Sequence, residues 1–109
     1  GNKVEDFGVG FYTKYGDGGV DISPIADCNK TEIWEIGKEL NILKEIIDAP
    51  PTDGLWDDGR TDEGQLGMSY KDIELAMNDP KSPNREKYEK IRLSNLHKME
   101  PIPVCIIPR

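Results

Sequence analysis

Apolar residues recur at helical spacing in three stretches of the chain and thin out between them. The clearest stretch starts at Asn29, an N-cap residue followed three positions later by Glu32, the pattern of a capping box. Ile33, Ile36, Gly37, Leu40, Leu43 and Ile47 then fall on one helical face. This predicts a helix from about Lys30 to Leu40, broken at Asn41 and renewed from Ile42 to Ile47, with its apolar face in the core. Ala49-Pro50-Pro51 ends it, because proline lacks an amide donor and restricts the residue before it. A second helix is predicted from Ser69, its N-cap, to Met77, stopped at Asn78-Asp79-Pro80. A third starts at Ser82-Pro83 and runs to about Lys98, carrying Tyr88, Ile91 and Leu96.

The connecting stretches have their own character. Gly1 to Gly19 is glycine-rich and closes on Tyr15-Gly16-Asp17-Gly18-Gly19, which reads as a loop held against something rather than as a helix. Val20-Asp21-Ile22 suits a short strand ended by Ser23-Pro24. Thr52 to Gly67 is rich in Gly and Asp and has no apolar period; a long loop of this kind is functional, mobile or simply solvated. The tail from Pro101 to Pro108 is apolar and extended, and its prolines keep it out of the middle of a sheet. It is expected to pack on its own domain or on a neighbouring subunit, with the first favoured.

Length and charge narrow the classes. At 109 residues the chain is one domain or part of one. With 36% hydrophobic and 32% charged residues it is polar, yet its apolar residues are grouped well enough to exclude a disordered tail. A net charge of -7 argues against non-specific binding of nucleic acid or anionic membranes, which needs a basic face. No apolar run approaches the ~18 residues of a membrane span, and no leader suggests export. Cys28 and Cys105 have no metal-ligand pattern around them and are expected to be buried thiols in a reducing cytoplasm.

The candidate chemistry is thin when read from residues alone. Lys14 stands beside the glycine-rich turn, and Lys30 in the first turn of a helix, where amides and dipole favour an anion; an ordinary surface lysine is the competing reading. Glu5 could hold Mg²⁺ through oxygen. Thr52, after two prolines, has a fixed hydroxyl suited to a ligand or to closing a turn. The acidic run Asp57, Asp58, Asp62 and Glu63 would bind a cation or face solvent. His97, the single histidine, is read as structural. No nucleophile–base pair, zinc site or dinucleotide fingerprint is present, so no catalytic residue is assigned.

Taken in order, these segments resemble the second half of NAD synthetases. Gly1-Asn2-Lys3-Val4-Glu5 is similar to the end of that family's Gly-Thr-Gly-Asn stretch. Thr13-Lys14-Tyr15-Gly16-Asp17-Gly18-Gly19-Val20-Asp21-Ile22-Ser23-Pro24-Ile25 matches the segment around its substrate site, and Asn29-Lys30-Thr31 follows at the expected distance. Pro51-Thr52, the stretch from Asp62 to Tyr70, and His97-Lys98 complete the series. The interval from Glu5 to Lys14 is one residue longer than in some relatives, and Asp53-Gly54-Leu55-Trp56 replaces the more usual Ala-Asp-Leu.

The resemblance implies an α/β fold: the C-terminal portion of a Rossmann-like, adenine nucleotide alpha-hydrolase-like parallel-sheet domain, helix-rich here with one or two short strands. It implies ATP-dependent amidation of deamido-NAD by ammonia through an adenylate, with release of AMP and pyrophosphate, by a cytoplasmic homodimer. Glu5 would be a Mg²⁺ ligand, Lys30 and Thr52 would contact ATP, and Lys14, Asp21, His97 and Lys98 would contact deamido-NAD. The family's Ser-Gly-Gly-x-Asp-Ser phosphate loop belongs to an N-terminal half absent from these residues, so the chain is expected to be inactive alone. The stretch from Thr52 to Gly67 is the candidate lid, or a passive surface loop. The alternatives are a non-catalytic assembly module and a related ATP-pyrophosphatase that adenylates another substrate.

Overall fold

A computed structural model describes residues 1–109 as a helical assembly without β-strands. Five α-helices follow one another: α1 (Lys30–Glu39), α2 (Lys44–Asp48), α3 (Asp62–Leu66), α4 (Tyr70–Asn78) and α5 (Arg85–Asn95). A π-helical turn, Val4–Val9, precedes them, and a 3₁₀ turn, Leu96–Lys98, continues α5. The three helices foreseen from periodicity are present. The Glu32 carboxylate accepts from the Asn29 amide at 2.7 Å, as the capping pattern requires. Ser69 accepts from the Asp72 amide at 3.1 Å and starts α4.

Several expectations are corrected. The opening is not all loop: Asn2 Oδ1 accepts from the amides of Val4 and Glu5, at 3.0 and 3.1 Å, and starts a helical turn there. That turn ends at Gly10 in the left-handed region, φ 71°, a conformation that costs glycine little. Val20-Asp21-Ile22 pairs with no other segment and forms no strand. The stretch from Thr52 is not loop to Gly67, because Thr61 caps α3 by accepting from the Gly64 amide at 3.1 Å. The last helix starts at Arg85 rather than Ser82 and tightens into the 3₁₀ turn before Lys98.

The core also lies elsewhere than the amphipathic pattern of the first helix suggests. Only 13 of 109 residues are buried, and none of them is in α1 or α2. Val4 and Val9 of the π-turn, Tyr70, Ile73 and Ala76 of α4, and Tyr88 of α5 form the centre, with Leu66 and Met68 beside them. Full burial of an apolar side chain stabilises by roughly 1.5–3 kcal/mol, so α4 and the π-turn carry most of the packing energy. Ile36, Leu40 and Leu43 remain exposed. The tail does not pack on its own domain; every residue from Pro101 to Arg109 is exposed. Cys105 is exposed and Cys28 half-buried, so neither is the buried thiol expected. The radius of gyration, 15.9 Å, exceeds the ~13 Å typical of a compact domain near this length.

Polar contacts fix the arrangement around this centre. Arg92 donates to the carbonyls of Phe7 and Gly8, and Asn95 to that of Val9 at 3.1 Å. Lys98 donates to the Gly10 carbonyl at 2.9 Å. The orphan carbonyls at the end of the π-turn thus take their donors from α5 and its extension. Across the core, Glu74 of α4 accepts from the Thr31 amide at 3.1 Å and from the Thr31 hydroxyl, a carboxylate placed at the N-terminus of α1 where the dipole favours it.

Ile73→Ala is expected to lower unfolding free energy by about 3 kcal/mol, the usual cost of truncating a buried isoleucine. Ile106→Ala, in the exposed tail, is expected to change it by less than ~0.5 kcal/mol. Urea unfolding of both variants checks this; equal effects would place the core elsewhere.

Candidate functional site

The site grows from the π-turn, whose two ends carry separate groups of side chains. At its start the Lys3 amide donates to the Cys28 carbonyl at 2.9 Å, which holds the turn against the entry to α1. Glu5 and Lys30 therefore meet, with Lys30 Nζ 3.2 Å from Glu5 Oε1. Their side chains are each only 18% exposed, so this pair is better shielded from solvent than an ordinary surface ion pair. Lys30, read above as anion-binding or merely superficial, is neither free nor superficial.

Two further residues complete this group: Tyr70, which had no site role in the sequence reading, and Asp62, one of the acidic run. Tyr70, fully buried at the start of α4, places its hydroxyl 2.6 Å from Glu5 Oε1 and 2.8 Å from Asp62 Oδ2. Its ring lies under Lys30 Nζ at 5.1 Å and packs nearly perpendicular to Trp34 with centroids 6.1 Å apart. Asp62, part of the acidic run, is 5% exposed, and its Oδ1 has no hydrogen-bond partner. The remaining acidic residues do not join it: Asp58 pairs with Arg60 at 2.6 Å, and Glu63 accepts from the Tyr70 amide at 3.4 Å. Tyr70 and Asp62 each directly follow an N-cap, Asp62 after Thr61 and Tyr70 after Ser69, and so occupy fixed first-turn positions.

At the far end of the turn, Lys14 donates to the carbonyls of His97, at 2.8 Å, and Glu100. The Tyr12 hydroxyl donates to the Lys98 carbonyl at 2.6 Å. Burial, with the Asp6 and Asp17 charges adding to it, raises the Tyr12 phenol above its ordinary value and keeps it a neutral donor. Lys14, His97 and Lys98 are thereby brought together, with the His97 side chain exposed. Asp21 stays exposed beyond the glycine turn, outside these contacts. A cavity of about 580 Å³ opens between Tyr12, Thr13 and Lys98 on one side and Thr52, Asp53 and Leu55 on the other.

Thr52 itself closes a turn: its hydroxyl donates to the Arg60 carbonyl at 3.1 Å and accepts from the Gly54 amide at 3.2 Å. The Asp62 amide donates to the Pro51 carbonyl at 2.9 Å, so the loop between them is pinned at its neck. Contacts within it are local, such as Arg60 stacked on Trp56 at 3.9 Å. Such a self-contained loop can move as a unit.

No three His, Cys, Asp or Glu side chains cluster as a metal cage. Mg²⁺ rarely needs one, since it usually keeps waters and takes one or two carboxylates plus substrate phosphates. Glu5 fits that demand: both its protein contacts fall on Oε1, and Oε2 receives none.

The profile of the NAD synthase family matches residues 1–102. The chain is 49% identical over 74 residues to the NH(3)-dependent NAD(+) synthetase of Carboxydothermus hydrogenoformans, covering 68% of this chain and 30% of that protein. It is 43% identical over 99 residues to that of Alkaliphilus oremlandii, covering 87% of this chain and 39% of that protein. Among solved structures, NMN synthetase from Francisella tularensis superposes with a TM-score of 0.80 at 31% identity, covering 99% of this chain and 44% of that one. The chain thus spans less than half the length of these relatives.

Burial holds the Asp62 carboxyl above the usual carboxylate range; the Tyr70 hydrogen bond opposes this, and the nearby Glu5 charge adds to it. A carboxyl whose folded pKa is raised stabilises the protein below its unfolded pKa of about 4, and that stability is lost as pH rises through the folded pKa. Asp62→Asn is therefore expected to raise the Tm at pH 7 in magnesium-free buffer, the gain shrinking as pH falls towards 4. A gain that is absent at pH 7, or that grows on acidification, would contradict the assignment.

Proposed function

The chain belongs to the NAD synthase family, and from that premise we propose that it forms the C-terminal part of an ATP-dependent synthetase that amidates deamido-NAD to NAD. The observation that supports this best is the gathering of Glu5 with Lys30 at one end of the π-turn, and of Lys14, His97 and Lys98 at the other. In this reading Lys30 and Thr52 contact ATP, while Lys14, Asp21, His97 and Lys98 contact deamido-NAD. Glu5 is the protein's ligand to Mg²⁺, which when bound offsets phosphate charge. The partners are ATP, deamido-NAD and ammonia, and the complete protein is a cytoplasmic homodimer. The parallel sheet of the family, and its phosphate loop, belong to the N-terminal half of the family domain.

The chemistry follows from leaving-group ability. A carboxylate cannot expel oxide, so the nicotinate carboxylate first attacks the α-phosphate of ATP and pyrophosphate departs. Ammonia then displaces AMP from the resulting acyl adenylate and leaves the carboxamide. Cations fixed before reaction are worth most where charge builds at the phosphate. Lys14 and Lys98 are held by main-chain carbonyls, which orient the ammonium groups without neutralising them. Water would hydrolyse the adenylate, so the loop pinned between Pro51 and Asp62 is the proposed lid.

A second substrate is favoured by one observation, the resemblance to a protein named an NMN synthetase. The same two steps on nicotinate mononucleotide would give NMN. Both substrates should be supplied, with Mg-ATP and ammonia, to the protein that carries this chain, with the 109-residue chain as control. Equal amounts of NAD and AMP from deamido-NAD, and none from the control, are expected; preferential turnover of the mononucleotide would replace the first reading with the second. No dinucleotide or mononucleotide product from a folded protein would overturn both.

Lys30→Met is expected to lower kcat/KM for ATP on the order of 100-fold, the usual cost of removing a group that stabilises transition-state charge. A fall below ~3-fold would remove Lys30 from the site.

A further inference from the structure

The group around Glu5 contains more than the proposed ligand set uses. Tyr70 is wholly buried, yet its hydroxyl is engaged only with two carboxylates, Glu5 at 2.6 Å and Asp62 at 2.8 Å. Asp62 is 5% exposed and leaves Oδ1 without any donor. A buried carboxylate with an unsatisfied oxygen works against folding, and such conflicts concentrate at functional sites. The neighbourhood offers a cheaper alternative: a phenylalanine at 70 and an apolar residue at 62 would remove both polar burdens while keeping the ring against Trp34.

What this cost provides is orientation. The phenol and Lys30 both bind Oε1 of Glu5, from α4 and α1 respectively. Two contacts from different elements on one oxygen fix the carboxylate and leave Oε2 without a protein donor. The phenol, in turn, is restrained by Asp62 on α3, whose first-turn position is set by the Thr61 cap. We infer that Asp62 and Tyr70 are positioning residues which hold the Glu5 carboxylate with one oxygen presented to a divalent cation. The inference rests on the reading of Glu5 as that cation's ligand. It also gives the loop a link to the site, since Asp62 stands at the loop's neck through its amide bond to Pro51.

The test is the affinity of the protein that carries this chain for Mn-ATP, read by water-proton relaxation without deamido-NAD or ammonia, so that nothing turns over. Affinity for metal-free ATP is measured beside it. Tyr70→Phe and Asp62→Ala are expected to weaken Mn-ATP binding about tenfold, as the loss of partners that orient a metal ligand does, while metal-free ATP binding changes less than ~3-fold. Asp62→Asn keeps an oxygen acceptor for the phenol and is expected to recover most of the loss relative to Asp62→Ala. Tyr70→Phe keeps the buried ring, and if it fails to fold the Asp62 pair still decides. Glu5→Gln separates the two layers of the claim. If it leaves Mn-ATP binding unchanged, the reading of Glu5 falls, and the inference with it. If it weakens binding while the Tyr70 and Asp62 variants do not, or if those variants weaken both forms of ATP equally, the positioning role alone is overturned.

Discussion

The hydroxyl of Tyr70 is the junction at which the pieces of this chain meet. It sits at the first turn of α4, in the centre of the core, and reaches Glu5 on the π-turn and Asp62 on α3. Its ring carries Lys30 and Trp34 of α1. Four segments separated along the sequence therefore share one side chain. Burial, with the Glu5 and Asp62 carboxylates adding to it, holds the phenol far above its ordinary pKa, so it remains a neutral donor at any physiological pH. Burial likewise raises the Asp62 carboxyl above its ordinary value, with the Tyr70 hydrogen bond opposing it.

The second constraint is the end of the π-turn. A helical turn that stops in the interior leaves carbonyl groups facing away from water, and leaving them unpaired is costly. Arg92, Asn95 and Lys98 supply the missing donors from one face of α5 and its extension. The left-handed Gly10 then turns the chain outward towards Tyr12 and Lys14. The same contacts that satisfy the backbone thus set where the glycine-rich turn begins and bring it beside His97 and Lys98. π-Helical turns are rare and often lie at functional sites; here the turn places one proposed ligand group at each end.

Helices α1, α2, α4 and α5 were legible because local rules govern them: N-caps at Asn29 and Ser69, a proline stop after Ala49 that ends α2, and an apolar period. The core was not legible, because periodicity reports an apolar face without reporting what covers it. The face of α1 reads as core, yet Ile36 and Leu40 are exposed while the comparable face of α4, with Tyr70, Ile73 and Ala76, is buried. The π-turn was hidden for a related reason. Its stability depends on Asn2 and on donors from α5, far away in sequence, while its own glycines read as loop. At the site, Glu5 and Lys30 were singled out in sequence as separate candidates, and only the fold pairs them. Asp62 stood out only as one of an acidic run that could as well face solvent, and Tyr70 not at all; their burial and shared hydrogen bonds separate them from their neighbours.

The electrostatics of the site differ from those of the whole chain, and the difference is informative about what it can hold. With a net charge of -7 the chain as a whole repels anions, but salt screens that field within ~10 Å. What an anion meets locally is set by the partners of a few lysines. Lys14 and Lys98 spend their donors on main-chain carbonyls, which are dipoles rather than charges, so their positive charge is not cancelled. Lys30 differs, because Glu5 neutralises it at 3.2 Å. If Glu5 turns its charge to a divalent cation, as proposed, Lys30 loses much of that compensation and becomes available to phosphate. Cation and nucleotide would then favour one another through a single carboxylate. That coupling requires a Glu5 that cannot simply swing away when its partner changes, which is the restraint that Tyr70 imposes.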